Sequence, residues 1–196
     1  MPERFKNKPD GYPLNPVDII KEFYTAGSTG YDILVRHGEQ VAQKALDIIE
    51  NRSDIRIDRQ FVLDAAMLHD IGICKTRSTA IGCSGTLPYI CHGVQGRNML
   101  DGIGLSKLAL VCERHVGVGI RSSDIIDFHL PLPVRDMVPV TIEEKLVCYA
   151  DKFFSKKSSN GKEKSPERIV AGLRNYGEDQ VKRFYQLRHL FESKKM

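Results

Sequence analysis

The sequence predicts an all-α protein, a bundle of seven or more helices. Three observations carry this. Long stretches repeat apolar residues at spacings of three and four, as in "YDILVRHGEQVAQKALDIIENR" with Leu34, Val41, Ala45 and Ile48. Helix-start signals recur along the chain, among them Asn15 before Pro16, Asp58, and Ser165 before Pro166. No stretch shows a convincing strand alternation, and no internal repeat is visible.

The elements follow in order. Residues 1–14 read as an extended arm. "NPVDIIKEFY" is a first short helix capped by Asn15, and "AGSTG" at 26–30 breaks the chain. The long amphipathic helix comes next. "DRQFVLDAAMLHD" is a helix capped by Asp58, with Gly72 placed just past its end to turn the chain away. Residues 73–87 form a loop rich in Gly, Ser and Thr. A helix starts near Pro88, and "LSKLALVCERHVG" is another. Residues 117–140, punctuated by Pro and Gly, form a long loop with one helical turn. "TIEEKLVCYADKFFSK" opens with a capping box, Thr141 with Glu144. "SPERIVAGLRNY" and "EDQVKRFYQLRHLFES" complete the set.

Bulk properties narrow the class. With 196 residues, 41% hydrophobic and 28% charged, one soluble globular domain is expected. No apolar run approaches the ~20 residues that span a bilayer, and the N-terminus lacks a signal-peptide core. A cytoplasmic protein without a membrane partner is the expectation. The cysteine count is odd, Cys74, Cys83, Cys91, Cys112 and Cys148, and no CxxC occurs, so free thiols are expected. The net charge of +4 is concentrated in "KKSSNGKEK" and "SKKM" and reads as no nucleic-acid footprint.

Ionisable residues on apolar helix faces are the informative feature. His37 lies between Leu34 and Val41 on one face. His69 follows Ala65 and Ala66, with Asp70 beside it. His92 follows Tyr89, His115 follows Val111 and Cys112, and Asp151 lies between Val147, Cys148 and Phe154. Taken singly, such a histidine is more often a hydrogen-bonded core residue than a ligand. Taken together, four histidines and two carboxylates on five helices can converge on one point. A cation compensates several buried ionisable groups at once. Imidazole with carboxylate suits Fe, Mn, Co, Ni or Zn better than Ca. Six ligands suit two ions with one carboxylate bridging and water or substrate filling the remaining positions. Around them Lys75, Arg114, Arg121 and Lys152 are candidates to hold an anionic substrate.

"AAMLHDIG" resembles the signature of the HD-domain metal-dependent phosphohydrolase superfamily, in its HDIG branch. The family order is a His, a His–Asp doublet and a distant Asp. Here these are His37, His69–Asp70 and Asp151, and dinuclear members add two intervening histidines, matched by His92 and His115. The resemblance covers about residues 30–156 and implies a compact HD-domain helical bundle. An N-terminal arm and short helix (1–29) would precede it, and C-terminal helices (157–196) would pack on it.

The resemblance further implies hydrolysis of phosphoester bonds in a small phosphorylated metabolite, a nucleotide above all, by a metal-activated water. His37, His69, Asp70 and Asp151 would hold one ion and His92 and His115 the second, with Asp70 as the bridge. Asp70 and Lys75 would be catalytic, although Ile73 and Cys74 separate Lys75 from the position some members use. Two alternatives stand beside this. One is a diiron oxygenase of the same scaffold, and the other is a non-catalytic nucleotide-sensing or metal-stabilised module. A homodimer through the C-terminal helices is left open.

Overall fold

The computed structural model describes residues 15–156 and 161–193. The arm expected over residues 1–14 and part of the "KKSSNGKEK" run lie outside them. Among the described residues there are nine α-helices: α1 Pro16–Phe23, α2 Thr29–Asn51, α3 Arg59–Leu68, α4 His92–Asp101, α5 Ser106–Arg114, α6 Ser122–Asp127, α7 Ile142–Asp151, α8 Pro166–Arg174 and α9 Glu178–Glu192. The all-α expectation holds. None of these helices is long and apolar enough to cross a membrane.

The caps act as their chemistry dictates. Asn15 Oδ1 accepts from the Val17 amide at 3.1 Å, Asp58 Oδ1 from Phe61 at 3.0 Å and Ser165 Oγ from Arg168 at 3.3 Å. The box at α7 forms only by half. Thr141 Oγ1 accepts from the Glu144 amide, but the Glu144 carboxylate accepts from the Val140 amide at 2.7 Å and from Arg114 at 2.8 Å. A buried carboxylate takes the available guanidinium over a return bond to its cap.

The loop 73–87 carries more order than expected. A 3-10 turn, Ile71–Lys75, runs into a minimal antiparallel pair, β1 Arg77–Ser78 and β2 Cys83–Ser84. Two residues per strand are too few to show alternation in sequence.

One buried apolar cluster runs from Ile19 and Ile20 in α1 to Phe184 and Phe191 in α9. Helix α2 packs on α3 and α7, α4 on α5, and α8 on α9. Tyr149 of α7 is fully buried at the junction with α9, its ring 5.1 Å from Phe153, 5.5 Å from Phe184 and 5.7 Å from Phe191. All five cysteines are free, and Cys112 and Cys148 are buried in the core.

Residues 117–140 are pinned rather than loose. Ile120 and Met137 exchange backbone hydrogen bonds of 2.9 and 2.8 Å. Helix α9 holds the segment's start: Gln180 accepts from the Val118 amide at 2.7 Å, and Arg183 donates to the Val118 and Gly119 carbonyls at 3.0 Å each.

Gly72 serves a different end from a helix stop. A Cβ there would lie 2.2 Å from the His92 carbonyl oxygen and 2.3 Å from the Gly96 amide nitrogen. The 3-10 turn and α4 are in backbone contact, and only glycine permits it. Gly72→Ala must push α4 away and is expected to cost about 1–3 kcal/mol. A urea denaturation series checks this. An unshifted midpoint would mean the contact is dispensable.

Candidate functional site

The bundle brings six of the sequence-derived candidates to one point. His37 comes from the middle of α2. His69 caps the C-terminus of α3, and Asp70 follows it at the start of the 3-10 turn. His92 opens α4, His115 caps the end of α5, and Asp151 is the last residue of α7. All are buried, Asp70 completely.

Asp70 stands at the centre. Its Oδ2 lies 3.3 Å from His37 Nε2 and 3.1 Å from His69 Nε2. Its Oδ1 lies 3.4 Å from both His92 Nε2 and His115 Nε2. Asp151 Oδ1 completes the first set, 2.9 Å from His37 Nε2 and 3.5 Å from His69 Nε2. Two groups of potential ligands therefore share Asp70: His37, His69, Asp70 and Asp151 on one side, and Asp70, His92 and His115 on the other.

The histidines are oriented as ligands need to be. His69 Nδ1 lies 2.7 Å from the Ala66 carbonyl, His92 Nδ1 2.7 Å from that of Tyr89, and His115 Nδ1 2.8 Å from that of Cys112. A carbonyl only accepts, so each Nδ1 carries the proton. In the neutral rings Nε2 then presents a lone pair to the cluster. His92 Nε2 and His115 Nε2 face each other at 3.3 Å. Two lone pairs at that distance repel unless a cation sits between them.

The two carboxylates of the cluster are held ionised by cations of the chain itself. Burial opposes the ionised form of Asp70, but His69 and Lys156 outweigh it and hold the carboxyl well below its ordinary range. Asp151 is likewise held low against burial by Lys152 and Lys156. Burial also opposes protonation of His69, yet the two carboxylates push it up to about 9. Burial drives His92 down to about 3, and His115 moves down for the same first reason.

Whether a metal ion fits is decided by the orphaned atoms. His69 Nε2 and Asp70 Oδ1, both facing the cluster, are buried with no hydrogen-bond partner, whereas Asp70 Oδ2 is met by the Lys156 ammonium. Leaving each unsatisfied costs about 1–3 kcal/mol. Donor atoms about 2.1 Å from one ion in tetrahedral or octahedral geometry lie about 3.0–3.4 Å apart. The spacings here, 2.9 to 3.5 Å, fit one ion in each group.

Above the cluster opens a cleft of about 1030 Å³ whose lining includes His92, His115 and Asp151 at its floor. Lys152, Lys156, Lys164 and Arg168 give it a basic wall, and Tyr89, Phe128 and Tyr176 contribute aromatic faces. Tyr89 stacks near His92, ring centroids 4.6 Å apart.

The anion-binding candidates divide. Lys152 lies beside Asp151, Nζ to Oδ2 2.8 Å, and lines the cleft. Arg114 is committed to Glu144. Arg121 is an exposed residue at the start of α6, and Lys75 is exposed on the 3-10 turn; neither lines the cleft. The five-residue 3-10 turn after Asp70, Ile71–Lys75, leaves Lys75, the expected catalytic and substrate-binding lysine, exposed at its end and away from the cleft. Lys156 was missed. Its ammonium contacts Asp70, yet in sequence it opens a run of lysines that reads as solvated surface.

No family model and no solved structure matches the chain. Similar proteins are found by sequence. An uncharacterized protein of Methanocaldococcus jannaschii is 36% identical over 122 residues, covering 60% of this chain and 64% of its own length. A tRNA (cytidine(56)-2'-O)-methyltransferase of Picrophilus torridus is 36% identical over 125 residues, 63% of this chain and 32% of that enzyme. One of Thermoplasma volcanium is 30% identical over 202 aligned positions, 97% of this chain and 53% of that enzyme. The chain thus spans about half or less of the methyltransferases it matches.

These findings overturn the expectation of an HD-type phosphohydrolase acting on a small phosphorylated metabolite without nucleic acid. The relatives named for an activity are transferases, and what they act on is tRNA. The physical reason for the error is that a ligand set selects an ion, and the reaction is chosen by what surrounds it.

Proposed function

We propose that the chain is the metal-centred helical part of a tRNA ribose 2'-O-methylation system, and that it holds tRNA across the basic cleft. The observation that supports this is the match of 97% of the chain to 53% of a tRNA 2'-O-methyltransferase. The cleft agrees with it chemically. Lys152, Lys164 and Arg168 suit phosphates, and exposed Phe128 and Tyr176 suit stacking on unpaired bases. His37, His69, Asp70 and Asp151 would hold one divalent transition-metal ion, and Asp70, His92 and His115 a second. When bound, the ions would supply fixed positive charge at the floor of the cleft. The free thiols fit a reducing, cytoplasmic setting.

The methyl donor of such a system, S-adenosylmethionine, does not fit this cleft. Its sulfonium is cationic, and the wall it would meet carries Lys152, Lys164 and Arg168. Both carboxylates lining the cleft are engaged, Asp124 by Arg183 and the Arg121 amide, Asp151 by Lys152 and His37. Methyl transfer is accordingly assigned to the portion of the relatives that this chain does not span.

The test is binding of an unmodified tRNA transcript with Mn²⁺ present, followed by fluorescence anisotropy across a salt series. The chain is expected to bind, and the Lys164→Ala/Arg168→Ala double variant to bind more weakly to all sequences alike. Its salt slope should fall by about 1.5–2, one phosphate contact per cation lost. No binding at low salt would sink the proposal. Methyl transfer to tRNA by the chain alone would show that the chemistry was placed in the wrong half.

A further inference from the structure

Lys156 occupies an unusual place. It lies five residues beyond the end of α7, and its side chain is 13% exposed. Its ammonium pairs with Asp70 Oδ2 and lies 4.0 Å from Asp151 Oδ1. These are the two oxygens that His37 Nε2 and His69 Nε2 face. The ammonium therefore answers the same carboxylate oxygens that an ion in the first group would bind. An ion at ligand distance from the same two oxygens would lie close to the ammonium in a buried site, where two positive charges repel strongly. Asp70 Oδ1, which faces His92 and His115, is the oxygen of the second group.

From this geometry we infer that Lys156 is an internal counter-cation that competes with metal for the first position. The inference rests on the reading of the cluster as a metal centre. A metal ion entering between His37, His69, Asp70 and Asp151 displaces the ammonium. Lys156 lines the cleft, so its displaced charge joins Lys152, Lys164 and Arg168 there. Loading the first position then strengthens the hold on an anionic ligand, and an anion in the cleft favours loading by drawing Lys156 out. By linkage the two effects are equal in size.

The experiment is a stepwise Mn²⁺ titration of the wild type and of Lys156→Met, which keeps the apolar stem and removes the charge. The variant is expected to bind one of the two ions at least about tenfold more tightly, with the other unchanged. A second measurement covers a variant that folds poorly. Lysine reductive methylation of the wild type, mapped by mass spectrometry, should leave Lys156 protected without metal and label it once Mn²⁺ is added. Identical titrations, or equal labelling in both states, would overturn the inference while leaving the metal centre standing. Binding by the variant and none by the wild type would support it. Absence of binding in both would instead overturn the metal centre, and the inference with it.

Discussion

Asp70→Ala is expected to abolish both proposed metal positions at once, because one carboxylate serves both groups. Oδ2 faces His37 and His69, and Oδ1 faces His92 and His115. Loss of outer-shell partners alone costs about 10–100-fold in metal affinity, so loss of the shared ligand should exceed 100-fold at each position. Asp151→Ala touches only the first group and should remove one ion. His92→Ala touches only the second and should remove the other. Equilibrium dialysis against Mn²⁺ reads the stoichiometry directly. An Asp70→Ala protein that keeps one ion would show that the carboxylate does not bridge, and one that keeps both would show that the centre lies elsewhere. Stability should fall too. Removing one member of a buried, paired set deprives His69 and Lys156 of the nearer of the two carboxylates that face them, at about 3–5 kcal/mol. That is a large share of the ~5–15 kcal/mol margin of a folded domain.

The metal-free protein is expected to be most stable near pH 6.5 and to weaken on both sides. His69 is pushed up to about 9, so its contribution is whole below its unfolded value of about 6.5 and is lost as pH rises from there through 9. The amount is on the order of 3 kcal/mol. His92 is held down near 3 and His115 is also lowered. Their neutral forms are the buried ones, so their contribution is whole above about 6.5 and is lost as pH falls toward 3. Asp70 and Asp151, both lowered, add a further loss below the ordinary carboxylate range. To bind an ion through Nε2, His69 must give up its proton. Metal affinity should therefore rise about tenfold per pH unit between 7 and 9, with proton release. Calorimetry of Mn²⁺ binding in buffers of different ionisation enthalpy measures that release. A pH-independent affinity with no released proton would contradict the charged state of His69.

Much of the fold was legible because its signals are local. Asn15, Asp58 and Ser165 mark helix starts by the hydrogen bonds their own side chains make. The six buried ligand candidates were legible because a histidine or aspartate on an apolar face stands out against its period. What was not legible depends on distant partners. Glu144 reads as a capping-box residue but is taken by Arg114, thirty residues away. Gly72 reads as a helix stop but is demanded by the backbone of α4. Lys156 sits among surface lysines in sequence and under the carboxylates in space. Lys75, close to the doublet in sequence, is turned outward. The reaction was the least legible of all, since the same donors suit many bonds.

The histidine tautomers have a consequence for assembly. His69, His92 and His115 each give their Nδ1 proton to a carbonyl three residues earlier in their own segment. Ring orientation is thus set by neighbouring backbone, before any long-range partner arrives. The proposed metal centre would thus be organised in advance, and little of an ion's binding free energy would go into ordering these rings. If the proposed ions are bound, chelators should remove them without unravelling the protein, and an ion returned afterwards should find its seat waiting.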